Sequence, residues 1–163
     1  MLERISKENY YLDIAQTVSE RSTCLRRRFG AVIVKNDSII STGYNGAPRG
    51  RANCNELGSC YRDTLGIPRG ERYELCRSVH AEANAIIAAP REQMLGATVY
   101  MCCTSPSDGS VMAGTTSCMM CKRLIINAGI ERLVVRDDAQ NFRVINVSDW
   151  IEDDDSLGGK LGY

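Results

Sequence analysis

The sequence of 163 residues has a single histidine, no net charge and no long hydrophobic segment. No apolar run approaches the roughly 18 residues that a membrane-spanning helix requires, so we expect no membrane protein. The 20 basic and 20 acidic side chains cancel, which argues against a broad nucleic-acid surface but is compatible with a small phosphorylated ligand. The charged N-terminal segment lacks the apolar core of a secretory signal, so we expect a cytoplasmic protein.

Cysteine, by contrast, is abundant. Without an export signal, disulfides are a poor explanation for this, because the cytosol keeps thiols reduced. Metal binding is the better explanation, and His80 is then the only imidazole that could serve as a ligand. Two adjacent cysteines in a predicted strand point to opposite faces and are expected to serve packing, namely Cys102 and Cys103. The other six are Cys24, Cys54, Cys60, Cys76, Cys118 and Cys121.

The hydrophobic pattern predicts a single α/β domain. Size and composition are those of one globular unit that buries about 70% of its surface. The predicted order is helix, β-hairpin, an irregular glycine-rich stretch, and then helix, strand, helix, strand and strand. A helix between two strands in the second half predicts that those strands pair in parallel. The ranges, in that order, are 6–21, 31–34 with 38–44, 46–77, 80–89, 97–102, 118–128, 130–135 and 141–147. We assign residues 1–163 to this domain, with a core over 5–147 and a C-terminal tail over 148–163.

Two motifs at predicted helix starts carry the chemistry. His80 and Glu82 stand two residues apart at one start, and Cys118 and Cys121 form a Cys-x-x-Cys at the other. Free backbone N–H groups and the helix dipole favour thiolates there, and zinc prefers thiolate and imidazole ligands. The three ligands His80, Cys118 and Cys121 leave a fourth position for water, as in catalytic zinc sites. Glu82 is then the candidate proton carrier, close to the metal without binding it.

Each motif has a simpler explanation when it is taken alone. A Cys-x-x-Cys can be a redox pair, and a histidine at a helix start is often only a polar residue near solvent. A redox pair has no use for His80 and Glu82, however, and a purely structural zinc would normally require a fourth protein ligand. The two motifs together therefore favour a catalytic zinc centre.

The sequence around these motifs resembles the cytidine and deoxycytidylate deaminase family. Zinc deaminases share His-x-Glu followed by Pro-Cys-x-x-Cys, and this chain has Ser117 in place of the proline, where serine can cap the helix. The resemblance extends over 5–147 and includes the segment GYNGAPRG from Gly43, which narrows it to the deoxycytidylate branch. The fold that it implies is a three-layer α-β-α arrangement with a mixed five-stranded sheet. Further similar segments are 30–34, 79–86 and 121–130.

The resemblance implies zinc-dependent hydrolysis of dCMP to dUMP, which would supply dUMP for thymidylate synthesis. Water activated by zinc would attack C4 of the cytosine ring, and Glu82 would carry protons to N3 and to the departing ammonia. The backbone of Ala81 and the side chain of Asn45 match positions that contact the base and the sugar in the family. Arg26 matches a phosphate contact, for which a planar guanidinium is suited. The alternative for Arg26 is a solvated basic turn, since two more arginines follow it.

The same resemblance implies a second, structural zinc, because some family members hold one at positions that match Cys24 and Cys54. Cys60 and Cys76 could complete a four-sulfur set in this chain. A metal there would order a long glycine-rich loop that has few core residues. The alternative is that these four cysteines are ordinary free thiols.

The family also suggests assembly and regulation. Its members often form hexamers that dCTP activates and dTTP inhibits, so we expect a homo-oligomer with effector contacts at Gly43, Tyr44, Asn45 and Gly46. Residues 103–117 form an insertion where relatives line the base pocket, so the pocket wall is expected to differ from that of the family. Two alternatives therefore stay open: a deaminase of another nucleoside, nucleotide or related base, and a catalytically silent zinc- or nucleotide-binding module.

Overall fold

The computed structural model describes residues 2–153, which fold around one mixed five-stranded sheet. The strands are β1 Arg28–Lys35, β2 Ser38–Tyr44, β3 Thr98–Thr104, β4 Arg132–Arg136 and β5 Phe142–Asn146. Their order in the sheet is β2-β1-β3-β4-β5; β3 and β4 pair in parallel, and the other neighbours pair antiparallel. The helices are α1 Lys7–Ser19, α2 Cys54–Leu57, α3 Tyr61–Thr64, α4 Ala81–Ile87, α5 Arg91–Met94, α6 Met119–Ala128 and α7 Val147–Glu152, and a 3-10 turn covers Tyr73–Leu75.

Helices cover both faces of the sheet, which confirms the predicted three-layer arrangement. Successive residues of β1 and β3 alternate between two apolar clusters, as expected for strands that are buried on both sides. On one face α1 packs on β1 and β3, and the cluster contains Tyr11, Leu12, Ala15, Val32, Val34, Tyr100, Cys102 and Val134. On the other face α4 and α6 contribute to a larger cluster that includes Ala31, Ile33, Ala85, Met101, Ile125, Leu133 and Val135.

Helix α6 connects the two parallel strands β3 and β4, as the sequence predicts. It ends at Ala128, and Gly129 caps it in the left-handed conformation with a φ of 78°. Cys102 and Cys103 in β3 are fully buried, and burial raises the pKa of their thiols to about 11 and about 12, respectively. These two cysteines therefore have the packing role that the strand pattern predicts.

Several short elements lie where the sequence predicts none. The irregular stretch 46–77 contains α2, α3 and the 3-10 turn, and α5 and α7 are additional helices. Helix α7 covers the start of the predicted tail 148–163, and its Trp150 packs under the Lys122 ammonium, whose Nζ lies 5.1 Å from the ring centroid. The rest of that tail, residues 154–163, lies outside the described residues. None of the helices in residues 2–153 combines the length and the apolar character that a membrane crossing needs.

Strand β2 and helix α4 approach each other closely at Gly43. A Cβ atom at this position would lie 2.3 Å from the carbonyl oxygen of Ala81 and 2.4 Å from the backbone nitrogen of Ala85. Both neighbours are backbone atoms, so no change of rotamer could relieve the contact. The absence of a side chain at Gly43 therefore sets the distance between the sheet and the helix that follows His80.

Replacing Gly43 with alanine is expected to push α4 away from β2. Overpacking of this kind costs about 1–3 kcal/mol, and the shift would also move the start of α4, where two of the predicted site residues lie. We expect a lower midpoint of thermal unfolding together with a lower zinc content. Thr42→Ala, at an exposed position of the same strand, is the matched control. A Gly43→Ala protein with wild-type unfolding and wild-type zinc content would contradict this packing argument.

Candidate active site

One cluster of metal-ligating side chains lies where α4 and α6 begin. The sulfur atoms of Cys118 and Cys121 are each 3.4 Å from Nδ1 of His80. The ligand atoms of these three residues lie within 4.8 Å of one another, and no other group of three His, Cys, Asp or Glu side chains within residues 2–153 does so. The structure therefore brings the three predicted zinc ligands together.

The ends of two helices position these ligands. His80 is the N-cap residue of α4, and Cys118 is the N-cap residue of α6. The segment before His80 is held by Val79, whose N–H donates to Gly46 O at 2.8 Å and whose carbonyl accepts from Gly46 N at 3.2 Å. Ser117 does not cap α6, as the sequence suggested it could; instead the Cys118 sulfur accepts from the backbone N–H of Cys121 at 3.5 Å.

Hydrogen bonds within the cluster shift the pKa values of its members. Burial alone would lower the pKa of His80, but hydrogen bonding to the Cys118 and Cys76 thiols and the negative charge of Glu82 raise it to about 10. Hydrogen bonding with Cys121 lowers the pKa of the Cys118 thiol well below its usual value, and His80 adds to this effect. The pKa of Cys121 is raised, first by its hydrogen bond with Cys118 and then by burial. A metal ion that binds here would displace the protons of His80 and Cys121.

The spacing of the three donor atoms fits a tetrahedral zinc ion. Zinc bonds of about 2.3 Å to sulfur and about 2.0 Å to nitrogen separate a sulfur from the nitrogen by roughly 3.5 Å at tetrahedral angles. The observed sulfur–nitrogen separations of 3.4 Å are close to that value. Two thiolates and one imidazole also form a donor set that suits zinc.

The Glu82 carboxyl lies beside this cluster but does not belong to its ligand set. Its side chain is buried, and burial raises its pKa, against the opposing effect of the His80 charge. The nearby Ser117 hydroxyl also lowers the pKa of Glu82. This hydroxyl is buried and has no hydrogen-bond partner within residues 2–153. A buried carboxyl with a raised pKa holds a proton more readily than an exposed carboxyl does, which suits a group that takes up and delivers protons in general acid–base catalysis.

A cavity of about 300 Å³ borders the cluster and includes His80, Glu82 and Cys118 in its lining. This volume is at the lower end of the range of small-molecule sites, about 300–1,000 Å³. Among the described residues, Glu82 is the one acidic residue of the lining. The excess of positive charge favours an anionic ligand. The five cationic lining residues are Arg26, Arg27, Arg62, Arg69 and Lys122.

Asn45 lines the cavity and also holds the surrounding loop. Its Oδ1 accepts hydrogen bonds from Ser22 Oγ at 2.6 Å and from Phe29 N at 2.8 Å, and its Nδ2 donates to Arg27 O at 2.9 Å. Three of its four hydrogen-bonding positions are therefore used within the protein. One amide hydrogen has no partner in residues 2–153 and is available to a ligand.

Arg26 and Ala81 also line the cavity. The Arg26 guanidinium forms an ion pair of 3.0 Å with Asp63, and both side chains are partly exposed. Ala81 is the first residue of α4 and is fully buried. Because it opens the helix, its backbone N–H has no partner within that helix.

The residues expected to contact effectors, Gly43 to Gly46, lie in the last part of β2 and the loop that follows it. Gly43 and Gly46 are buried, and Tyr44 is 38% exposed. Of the four, Asn45 alone lines the cavity among the described residues. The pairing of Gly46 with Val79 nevertheless connects this loop directly to the residue before His80.

The four cysteines of the predicted second zinc site lie in one region. Cys24, Cys60 and Cys76 line the cavity, and Cys54 is buried. Burial raises the pKa of Cys54, and the nearby thiols, first among them Cys24, add to this shift. No three of these four sulfurs lie within 4.8 Å of one another, and all four cysteines are free thiols. The second zinc site therefore stays a prediction.

Sequence reasoning did not identify Arg62 and Tyr73, which form one wall of the cavity. Arg62 is only 5% exposed, and its guanidinium donates to the carbonyl oxygens of Pro68 and Glu71 at 2.6–3.1 Å. The same guanidinium lies 4.4 Å from the Tyr73 ring centroid, and this ring meets the His80 ring edge-on at 5.1 Å. Arg62 thus ties the loop to a metal ligand, but no periodic pattern in the sequence marks such a contact.

Comparison with known proteins identifies the domain. The model of the cytidine and deoxycytidylate deaminase zinc-binding region matches residues 5–137. The chain belongs to the cytidine and deoxycytidylate deaminase family. The matched segment contains His80, Cys118 and Cys121, so the cluster described above coincides with the zinc-binding region of the family.

Two relatives differ in how much of their length this chain covers. The deoxycytidylate deaminase of Mycobacterium phage D29 is 38% identical over 138 residues, which are 82% of this chain and 96% of the phage protein. The deoxycytidylate deaminase of Schizosaccharomyces pombe is 36% identical over 131 residues, which are 80% of this chain but 37% of the yeast protein. The chain therefore spans almost all of the phage relative and little more than a third of the yeast relative.

Solved structures of deaminases share the fold. The dCMP deaminase of cyanophage S-TIM5, crystallised in complex with dCMP and dUMP, matches with a TM-score of 0.55 and 25% identity over 97% of this chain and 98% of the phage chain. The cytidine deaminase of Burkholderia pseudomallei matches with a TM-score of 0.56 and 16% identity over 89% and 95% of the two chains. The second likeness supports the three-layer fold alone.

Proposed function

We propose that this domain catalyses the zinc-dependent hydrolytic deamination of dCMP to dUMP, with release of ammonia. The observation that carries the proposal is the convergence of two sulfurs and one imidazole, with the buried carboxyl of Glu82 left outside the ligand set. Five cationic side chains in the cavity lining suit the phosphate of a nucleotide. The phage and yeast relatives are deoxycytidylate deaminases, which supports the same substrate.

In this proposal the chain's own residues bind the metal and move protons. His80, Cys118 and Cys121 hold zinc, which when bound supplies a Lewis acid that activates water. Glu82 takes up a proton from the attacking water and delivers it to N3 of the cytosine ring; it then takes up the proton of the hydroxyl group added at C4 and delivers it to the leaving amino group. Water adds at C4 and ammonia leaves, so the amino group is replaced by a carbonyl oxygen.

Three further residues are proposed to contact the substrate. The unpaired backbone N–H of Ala81 and the remaining amide hydrogen of Asn45 are donors for the base and the sugar. Arg26 is the proposed phosphate contact. Its ion pair with Asp63 is partly exposed, and such pairs contribute little stability, so a phosphate can compete with this carboxylate.

A substrate screen tests the proposal. Absorbance change and ammonia release are measured with the zinc-loaded protein for dCMP, CMP, deoxycytidine, dCTP and cytosine. We expect kcat/KM to be highest for dCMP and about 10–100-fold lower for deoxycytidine, since a hydrogen bond to a charged group is worth about 1.5–3 kcal/mol. Faster turnover of a different base would favour another deaminase. Nucleotide binding without any turnover would favour a silent module.

We also propose the second, structural zinc at Cys24, Cys54, Cys60 and Cys76. The four thiols lie in one region, and a metal would draw the loop that carries three of them into one arrangement. Elemental analysis is expected to find two zinc ions per chain, falling to one in Cys54→Ala. The buried Cys102→Ala is the control and is expected to retain both ions. One zinc ion per wild-type chain would reject this second site.

Assembly, regulation and location complete the proposal. We propose a homo-oligomer, with a hexamer favoured, in the cytoplasm, where the free thiols stay reduced.

Effector binding of dCTP or dTTP is proposed at Gly43–Gly46, because Gly46 pairs with the residue before His80. A sigmoidal dCMP curve that dCTP straightens would support the effector site, and curves unchanged by both nucleotides would count against it.

A further inference from the structure

The insertion that separates β3 from α6 folds back and forms part of the cavity wall. It begins with a turn in which Ser105 N donates to Ser110 O at 2.8 Å, and Val111 then pairs with Thr104. The end of the insertion, residues 114–117, lines the cavity. The predicted insertion is therefore ordered against the candidate site.

An ion pair at the edge of the sheet holds the end of this insertion. Asp137, which follows β4, accepts from Gly114 N at 2.8 Å through Oδ1 and from Arg143 Nε at 2.7 Å through Oδ2. Arg143, in β5, also donates through Nη2 to the carbonyl oxygen of Thr115. Asp137 and Arg143 thus hold the backbone N–H of Gly114 and the backbone carbonyl of Thr115, on either side of the Thr115 side chain.

The Thr115 side chain carries an unused polar group. Thr115 is 3% exposed, and its hydroxyl has no hydrogen-bond partner within residues 2–153. Leaving a buried hydroxyl unpaired is unfavourable, and native proteins do so rarely. Because Thr115 lines the cavity and its backbone is held by Arg143, a ligand in the cavity can supply the missing partner.

We propose that the Thr115 hydroxyl is a specificity-determining contact to the nucleoside part of the substrate, and that Asp137 and Arg143 are positioning residues for it. The inference rests on the proposed dCMP deamination. Thr115 precedes Cys118 of the ligand cluster by three residues, and three residues of chain span at most about 11 Å, so Thr115 lies near the metal end of the cavity. Since C4 must lie next to Glu82, the ring and sugar occupy that end. A hydroxyl can donate to the ring carbonyl or exchange a hydrogen bond with a sugar hydroxyl.

Thr115→Val tests the contact, because valine keeps the shape of threonine without its hydroxyl. We expect kcat/KM to fall about 3–10-fold for dCMP and for deoxycytidine alike, as for the loss of one neutral hydrogen bond. Thr98→Val is the matched control. Like Thr115, Thr98 is buried, but it lies in β3 and outside the cavity lining. It is expected to retain wild-type kcat/KM. Thr115→Ser keeps the hydroxyl and is expected to retain most of the activity even if valine impairs folding.

A double-mutant cycle tests the role of Arg143. If Arg143 acts through Thr115, Arg143→Ala lowers kcat/KM in the wild-type background but has little further effect in Thr115→Val. Additive losses would overturn the positioning role. A wild-type rate in Thr115→Val, or a loss confined to dCMP, would overturn the nucleoside contact. If the wild-type protein did not turn over dCMP at all, the proposed function itself would fail, which is a distinct result.

Discussion

Replacing Glu82 with glutamine is expected to remove nearly all ammonia release from dCMP while the protein keeps its zinc. Glutamine has the same shape as glutamate but cannot take up a proton from water and pass it to the ring. General acid–base catalysis contributes about 10²–10⁴-fold, and here one carboxyl performs every transfer, so we expect kcat to fall by at least the upper part of this range. Ammonia release and zinc content, measured on the same sample, test the prediction.

The geometry separates this result from a loss of metal. Glu82 lies outside the set formed by His80, Cys118 and Cys121, so its replacement leaves all three ligands in place. Glu131→Gln, at an exposed position beyond α6, is the control and is expected to retain full activity. Turnover by Glu82→Gln within about tenfold of the wild type would show that another group carries the protons. Loss of zinc in that variant would show that Glu82 binds the metal.

The parts of the fold that local patterns encode could be predicted from the sequence. Strand β2 has the predicted bounds of 38–44, because a run of β-branched residues follows a turn at Asn36 and Asp37. The end of α6 could be placed because Gly129 adopts the left-handed conformation that closes a helix. The clustering of His80, Cys118 and Cys121 could also be predicted, since both motifs stand at helix starts.

Elements that depend on tertiary contacts could not be predicted. Helices α2, α3 and α5 have four residues each, which is too short for a helical period to appear. Helix α7 is defined by the burial of Val147 and by the packing of Trp150 under Lys122 from α6. The hydrogen bond from Arg143 to the Thr115 carbonyl joins residues 28 positions apart, and nothing in either local sequence indicates it.

Asn45 shows that a residue predicted to contact the substrate can also have a structural role. Its motif predicts a substrate contact, but most of its side-chain hydrogen bonds go to Ser22, Phe29 and Arg27. These contacts hold the entry to β1 next to the loop that leads to His80. A substitution at Asn45 would therefore disturb the loop as well as remove the proposed substrate contact.

Replacing Cys121 with serine is expected to remove the catalytic zinc and reduce deamination to background. Cys121 is fully buried, and its sulfur is one of only three protein ligands. A serine hydroxyl stays protonated at neutral pH and is a poor partner for zinc compared with a thiolate. Changes to groups that merely support a ligand cost about 10–100-fold in metal affinity, so the loss of a ligand should exceed that range.

The matched control is Cys102→Ser, which makes the same substitution at another fully buried cysteine. Because Cys102 lies in the apolar core on the α1 face and not in the metal cluster, serine there is expected to lower the thermal midpoint while the zinc content stays unchanged. Cys121→Ser should show the opposite pattern, with one zinc ion fewer per chain and no activity that added zinc restores. If both variants lost zinc equally, the loss would reflect core damage. If Cys121→Ser kept its zinc and its activity, the three-ligand centre on which the proposed reaction depends would be wrong.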